Sequence, residues 1–146
     1  MMIQSMWTIL LKKFSMHKKF LLIASVSGIL GVAIGAFGAH GLKKIIQPGD
    51  FSIFQTGVQY QMYHTFALLA TGILYEKFRN QWIRWSGVCF IVGILLFSGS
   101  LYMITLLKAY SVAVSNGIGI ITPIGGLFFI MGWMCMLIGV VNRVRS

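Results

Sequence analysis

Residues 28–42 read GILGVAIGAFGAHGL, and Gly28, Gly31, Gly35 and Gly38 recur in this stretch at spacings of three, four and three. On a helix advancing about 100° per residue these glycines fall within an arc of about 80°, and Ala24 extends the same stripe. One face of the helix is therefore almost bare backbone. In water each such glycine costs about 0.8–1.0 kcal/mol against alanine. The compensating gain is close helix contact inside a bilayer, where small residues let backbones approach.

The rest of the chain fits that setting. Of 146 residues, 58% are hydrophobic and 10% charged, too few polar groups to cover a soluble globule of this size. Four segments free of Asp, Glu, Lys and Arg are long enough to cross about 30 Å of hydrocarbon: residues 20–42, 51–75, 85–107 and a stretch within 109–142. Only helices satisfy their own backbone in lipid at this length, so the class is all-α, an integral membrane four-helix bundle. The spacing predicts spans at about 20–42, 56–76, 84–107 and 118–141, with residues 1–19 as a basic amphipathic extension and 143–146 as a tail.

The net charge of +10 would suggest nucleic acid in a soluble protein, but here the basic residues flank the spans. Nine (Lys12, Lys13, Lys18, Lys19, Lys77, Arg79, Arg84, Arg143, Arg145) lie on one side and three (Lys43, Lys44, Lys108) on the other. The positive-inside rule then puts both termini in the cytoplasm, N-in and C-in, in a multi-pass protein of the bacterial cytoplasmic (inner) membrane. Membrane lipids are the expected surroundings, and nucleic acid is not an expected partner.

In the extension, Ile3, Met6, Trp7, Leu10, Leu11 and Phe14 share one side of a helix that would lie among the headgroups. Met16 is an alternative start, and from there the chain imitates a secretory signal, except that its apolar run exceeds the usual 7–15 residues. A retained anchor is expected. Asp50 is positioned to cap the second helix, Glu76 to pair with Lys77 or Arg79, and Pro123 to lie near the start of the fourth helix, where its missing donor would have had no partner. Gly125, Gly132 and Gly139 form a second smooth stripe in that helix, with the first span as one partner it could pack against. Cys89 and Cys135 read as buried reduced thiols.

Chemistry-bearing residues are scarce. The only acids, Asp50 and Glu76, lie at span ends, which excludes a carboxylate-driven exchanger, a two-carboxylate hydrolase and a carboxylate-rich cation site. Two histidines within spans are too few to argue zinc, so no metal or cofactor is expected. The polar residues nevertheless converge at one depth: His40 ends span one, Gln59, Tyr60 and His64 start span two, Ser98, Ser100 and Tyr102 occupy the outer part of span three, and Thr122 starts span four. This cluster is either an internal hydrogen-bond network or a pocket open to the outer face.

At these positions the chain resembles a known family. GAFGAHGL at 35–42, YQMYH at 60–64 followed by ALL, LFSGSLY at 96–102, and ITPIGG at 121–126 with GW at 132–133 together resemble the YgdD/YwdK family of small four-pass inner-membrane proteins, a domain of unknown function. The resemblance covers roughly residues 16–141 and implies a four-helix membrane protein without an established enzymatic activity. His40, Gln61, His64, Ser98, Ser100, Tyr102, Thr122 and Pro123 fall in its motifs. The expected role is a non-enzymatic accessory or scaffold protein that packs with itself or with a larger membrane complex. The alternative is a small transporter or channel component that binds a ligand at the outer polar cluster, with His40 or His64 as its ionisable group.

Overall fold

The computed structural model describes residues 16–113 and 116–144, all of whose regular structure is helical. The proposed amphipathic segment lies outside the described residues up to position 15, and residues 16–19 form the first turn of α1 (Met16–His40). A short 3-10 turn at Leu42–Lys44 leads to α2 (Pro48–Phe78). The third rod consists of α3 (Gln81–Gly93), a π-helical turn at Ile94–Ser98 and α4 (Gly99–Ala109). The last helix is α5 (Asn116–Val144).

Among the described residues three helices are long and apolar enough to cross a membrane, within Lys18–Lys44, Gln81–Ala109 and Gly117–Asn142. The remaining rod, α2, is the longest at 31 residues but less apolar. Its position explains this composition. It packs against α1, α3, the π turn, α4 and α5, so Gln61, His64, Thr65 and Thr71 are buried among protein neighbours instead of facing outward.

Two antiparallel pairs build the bundle. Along α1 and α2, Phe20 meets Tyr75 edge-on at one end, Gly28 faces Thr65, Gly31 faces Met62, Gly35 faces Val58, and Gly38 lies under the Phe54 ring at the other end. Along the third rod and α5, Ile83 covers Gly139, Phe90 covers Gly132, Phe129 covers Gly93, and the Phe97 backbone lies against Gly125. Both glycine stripes thus close contacts within one chain. The second stripe meets the third rod rather than α1, because Phe90 and Ile83 fill it and the Phe97 backbone lies against it. The core between the pairs is Phe20, Ala24, Ala67, Leu68, Phe90 and Phe129.

Several local features differ from the sequence-based expectations. Helix α2 starts at Pro48, with Gln47 in the N-cap position, so Asp50 falls inside the first turn and pairs with Lys108. Proline at the first helical position is pre-organised for the turn, which moves the start ahead of Asp50. The connection from α2 to α3 is two residues, not seven: Arg79 adopts a left-handed conformation (φ 44°) and Asn80 caps α3 by accepting from the Ile83 amide at 2.9 Å. The Lys77 ammonium lies over the Phe78 ring, 5.7 Å from its centroid, instead of pairing with Glu76. Helix α5 begins at Asn116, which places Pro123 inside the helix, so the Gly119 carbonyl loses the amide donor that any other residue at 123 would supply. Cys89 is buried, Cys135 half-buried, and both are free.

Candidate functional site

The expected polar cluster divides into parts held by different elements. Its centre is a chain of hydrogen bonds across α4, α2 and α1. The Tyr102 hydroxyl donates to Gln61 Oε1 at 2.7 Å, Gln61 Nε2 donates to the Ser27 carbonyl at 2.9 Å, and Ser27 Oγ and Thr65 Oγ1 share a hydrogen bond of 2.7 Å. A buried amide left unpaired here would forfeit about 1–3 kcal/mol, which is why each member is matched. Gln61 can reach both neighbours because Gly28 and Gly31 bring the α1 backbone close.

A second link joins α4 to α5. Ser100 Oγ and Thr122 Oγ1 are 2.7 Å apart, and Ser100 Oγ also donates to the Phe97 carbonyl at 2.9 Å. That carbonyl lies in the π turn, whose geometry shifts the backbone pairing: the Gly99 amide reaches back to the Ile94 carbonyl. Thr71, Thr105 and Ser25 each return a hydroxyl to the carbonyl four residues earlier. Ser98 does not. It is 1% exposed, and its Oγ has no hydrogen-bond partner among the described residues.

His64 occupies an aromatic enclosure. Its ring stacks on Phe129 with centroids 3.4 Å apart, Tyr60 lies at 5.9 Å, Phe90 at 5.7 Å and Trp133 at 6.4 Å. Tyr60 itself stacks on Phe97 at 4.5 Å. With Nδ1 2.8 Å from the Tyr60 carbonyl oxygen, the imidazole has a partner on its own helix.

The two histidines do not form one site. His40 is exposed at the end of α1, and Gln59 is exposed beside a shallow cleft lined by Gly35, Ala39 and Phe54. Among the described residues no group of three or more His, Cys, Asp and Glu could hold a metal ion. Sequence reasoning left Ser27, Thr65, Phe90, Phe129, Trp133 and Asn80 out of the cluster. Asn80 Nδ2 donates to the Gly139 carbonyl at 2.7 Å and ties the start of α3 to α5. The available signal was helical spacing: Phe54, Gly57, Gln61, His64 and Leu68 follow one another at three or four residues, and all are buried.

A concavity of about 270 Å³ lies over α2 between α1 and the third rod. Ser27, Gln61, Ser98 and Tyr102 all border it, so the hydrogen-bonded chain forms part of its wall.

Comparison with known proteins finds relatives among membrane proteins. A family model described as a protein of unknown function, DUF423, matches residues 34–126. The chain is 39% identical over 134 residues to the inner membrane protein YgdD of Escherichia coli K12, a match covering 90% of this chain and 96% of the relative. It is 43% identical over 124 residues to a membrane protein of Haemophilus influenzae, covering 85% and 94%. It is also 37% identical over 126 residues to the membrane protein YwdK of Bacillus subtilis, covering 86% and 98%. No solved structure matches.

Proposed function

Because the chain belongs to the DUF423 family of membrane proteins of unknown function, we propose its role from its geometry: a four-pass accessory protein of the cytoplasmic membrane, non-enzymatic, N-in and C-in, acting through the helical surface it presents. The four-pass arrangement is supported by α2, which runs antiparallel to α1 from Phe54 beside Gly38 to Tyr75 beside Phe20. At 1.5 Å per residue its 31 residues extend about 46 Å, more than the hydrocarbon requires. The nine basic residues on one side against three on the other support the orientation.

The observation that carries the functional reading is that the inward polar side chains hydrogen-bond chiefly to one another and to backbone, while the outward faces are apolar. Ile124, Leu127, Ile130, Met134 and Leu137 on α5 are all exposed. Such a protein acts by contact within the membrane, with another copy or with a larger complex. The test is a photo-crosslinking amino acid placed at Leu127, Ile130 or Leu137 in native membranes. A discrete protein adduct at these positions is expected, and monomer alone at all three overturns the accessory role. For topology, single cysteines at Gln47 and Val112 should react with an impermeant thiol reagent from outside, and one at Lys77 only after lysis, with Cys89 and Cys135 replaced by alanine.

A further inference from the structure

Helices α1 and α3 meet where the Phe20 ring fills the space above Gly87. Farther along they part, leaving the groove of about 270 Å³ over α2. Ile23, Val26 and Leu30 form one wall, Ile94 and Leu95 the other, and Leu68 lies on the floor. Both walls come from helices apolar enough to cross a membrane, so the opening faces lipid. No lining residue is charged. The volume lies just below the range of about 300–1,000 Å³ usual for small-molecule pockets, which favours one chain over two.

The polar groups on this wall are not all matched. Gln61 Nε2 carries a second hydrogen beyond the one given to Ser27, and the Tyr102 oxygen that donates to Gln61 still has acceptor capacity. Ser98 Oγ, on the π turn, has no partner among the described residues; Ser86 Oγ in α3 is likewise unpartnered but lies outside the groove. Pi-helical turns of this kind recur at functional sites. We propose that the groove binds a single-chain membrane amphiphile with an uncharged, hydroxyl-bearing head. Its chain lies along Ile23, Leu30 and Leu95, and its head bonds to Ser98 beside Gln61 and Tyr102. A charged head is disfavoured, since it would sit at membrane depth without a counter-charge. This inference rests on the four-pass reading, because only a groove within the bilayer draws its ligand from lipid.

Gly99 provides the decisive variant. It lines the groove in ordinary helical conformation, and a Cβ added there meets nothing within 4 Å, so Gly99→Leu fills the space without displacing the fold. Gly119 is equally open but lies outside the groove and serves as the control. The purified full chain in phosphatidylcholine nanodiscs is labelled with a monoacylglycerol carrying a diazirine in its acyl chain, and separately with a diazirine alkane lacking any head. Monoacylglycerol adducts are expected on peptides containing Leu30 and Leu95, lost in Gly99→Leu and retained in Gly119→Leu. Ser98→Ala should lower the preference for monoacylglycerol over alkane about fivefold, the worth of one buried hydrogen bond. Adducts spread evenly over outward residues such as Ile29 and Leu127, or undiminished in Gly99→Leu, overturn the site. An unchanged preference in Ser98→Ala overturns the head assignment and leaves a bridging water as the partner of Ser98. Failure of the four-pass reading registers separately, in the thiol-accessibility pattern of the loops.

Discussion

The His64 imidazole lies flat on the Phe129 ring, with the planes 7° apart and the centroids 3.4 Å apart, while Nδ1 faces the Tyr60 carbonyl. That carbonyl only accepts, so Nδ1 carries a proton there, and the ring is held in place by its own helix and by α5. His64 therefore acts as a packing residue of the bundle. Replacing it by alanine should destabilise the protein by about 3 kcal/mol, in the range for deleting a buried ring, and His64→Phe by much less. Thermal unfolding in detergent, followed by tryptophan fluorescence, checks this. Equal midpoints for His64→Ala and wild type would show that the enclosure contributes no packing.

The α5 stripe gives a sharper contrast between neighbours. A Cβ on Gly125 would collide with the Phe97 backbone, which cannot move without breaking the π turn, whereas a Cβ on Gly126 would sit 3.9 Å from the Phe97 ring in ordinary contact. Gly125→Ala should lower the unfolding midpoint by several degrees, as overpacking of about 1–3 kcal/mol does. Gly126→Ala should leave it unchanged or raise it slightly through helix propensity. Similar losses for both would mean that the stripe is not read by shape.

Helical periodicity made these stripes legible, because it follows from backbone geometry alone. Which helix each stripe meets was not legible. Spacing says that a face is smooth, but the partner is chosen by where Phe90, Phe97 and Ile83 project, and those are tertiary facts. The candidate site divides along the same line. Tyr102, Ser100 and Thr122 stand out as hydroxyls in apolar spans, and the structure gives each a partner. Ser27 passes for one more small residue beside the Gly28 stripe. Gln59, Tyr60 and Gln61 are successive polar residues, and only the third lies on the line through Phe54 and Leu68 that α2 buries. His40 was grouped with the cluster by depth, although its place on α1 leaves it exposed.

On α1 the glycines should respond in graded order. A Cβ at Gly28 would meet Thr65 at 3.7 Å, at Gly35 it would meet Val58 at 3.3 Å, and at Gly38 it would strike the Phe54 ring, which is itself packed on Tyr102 at 5.2 Å. Gly28→Ala should be neutral, Gly35→Ala mildly destabilising and Gly38→Ala the most damaging. Because these contacts lie within one chain, size-exclusion chromatography should show Gly35→Leu losing its monomer fold. A folded monomer that had lost only self-association would assign the stripe to a dimer face instead.

The hydrogen bond from Tyr102 to Gln61 crosses from α4 to α2, and Gln61 passes it on to the α1 backbone, so its strength measures how firmly three helices are tied. Tyr102→Phe keeps the ring against Phe54 and removes only the donor, leaving Gln61 Oε1 unpaired. Gln61→Leu keeps most of the volume and removes both bonds, and it orphans the Tyr102 hydroxyl. If the bond acts as inferred, the double variant should be less destabilised than the two single changes combined, with a coupling of about 0.6 kcal/mol and no more than about 1.7, the span measured for interhelical bonds in membrane proteins. The same cycle between Tyr102→Phe and Ser100→Ala should show weaker coupling, because Ser100 bonds to Thr122 on the other side of α4. Unfolding midpoints of the single and double variants in one detergent supply both numbers. Strict additivity for Tyr102 and Gln61 would mean that their contact does not hold the helices together.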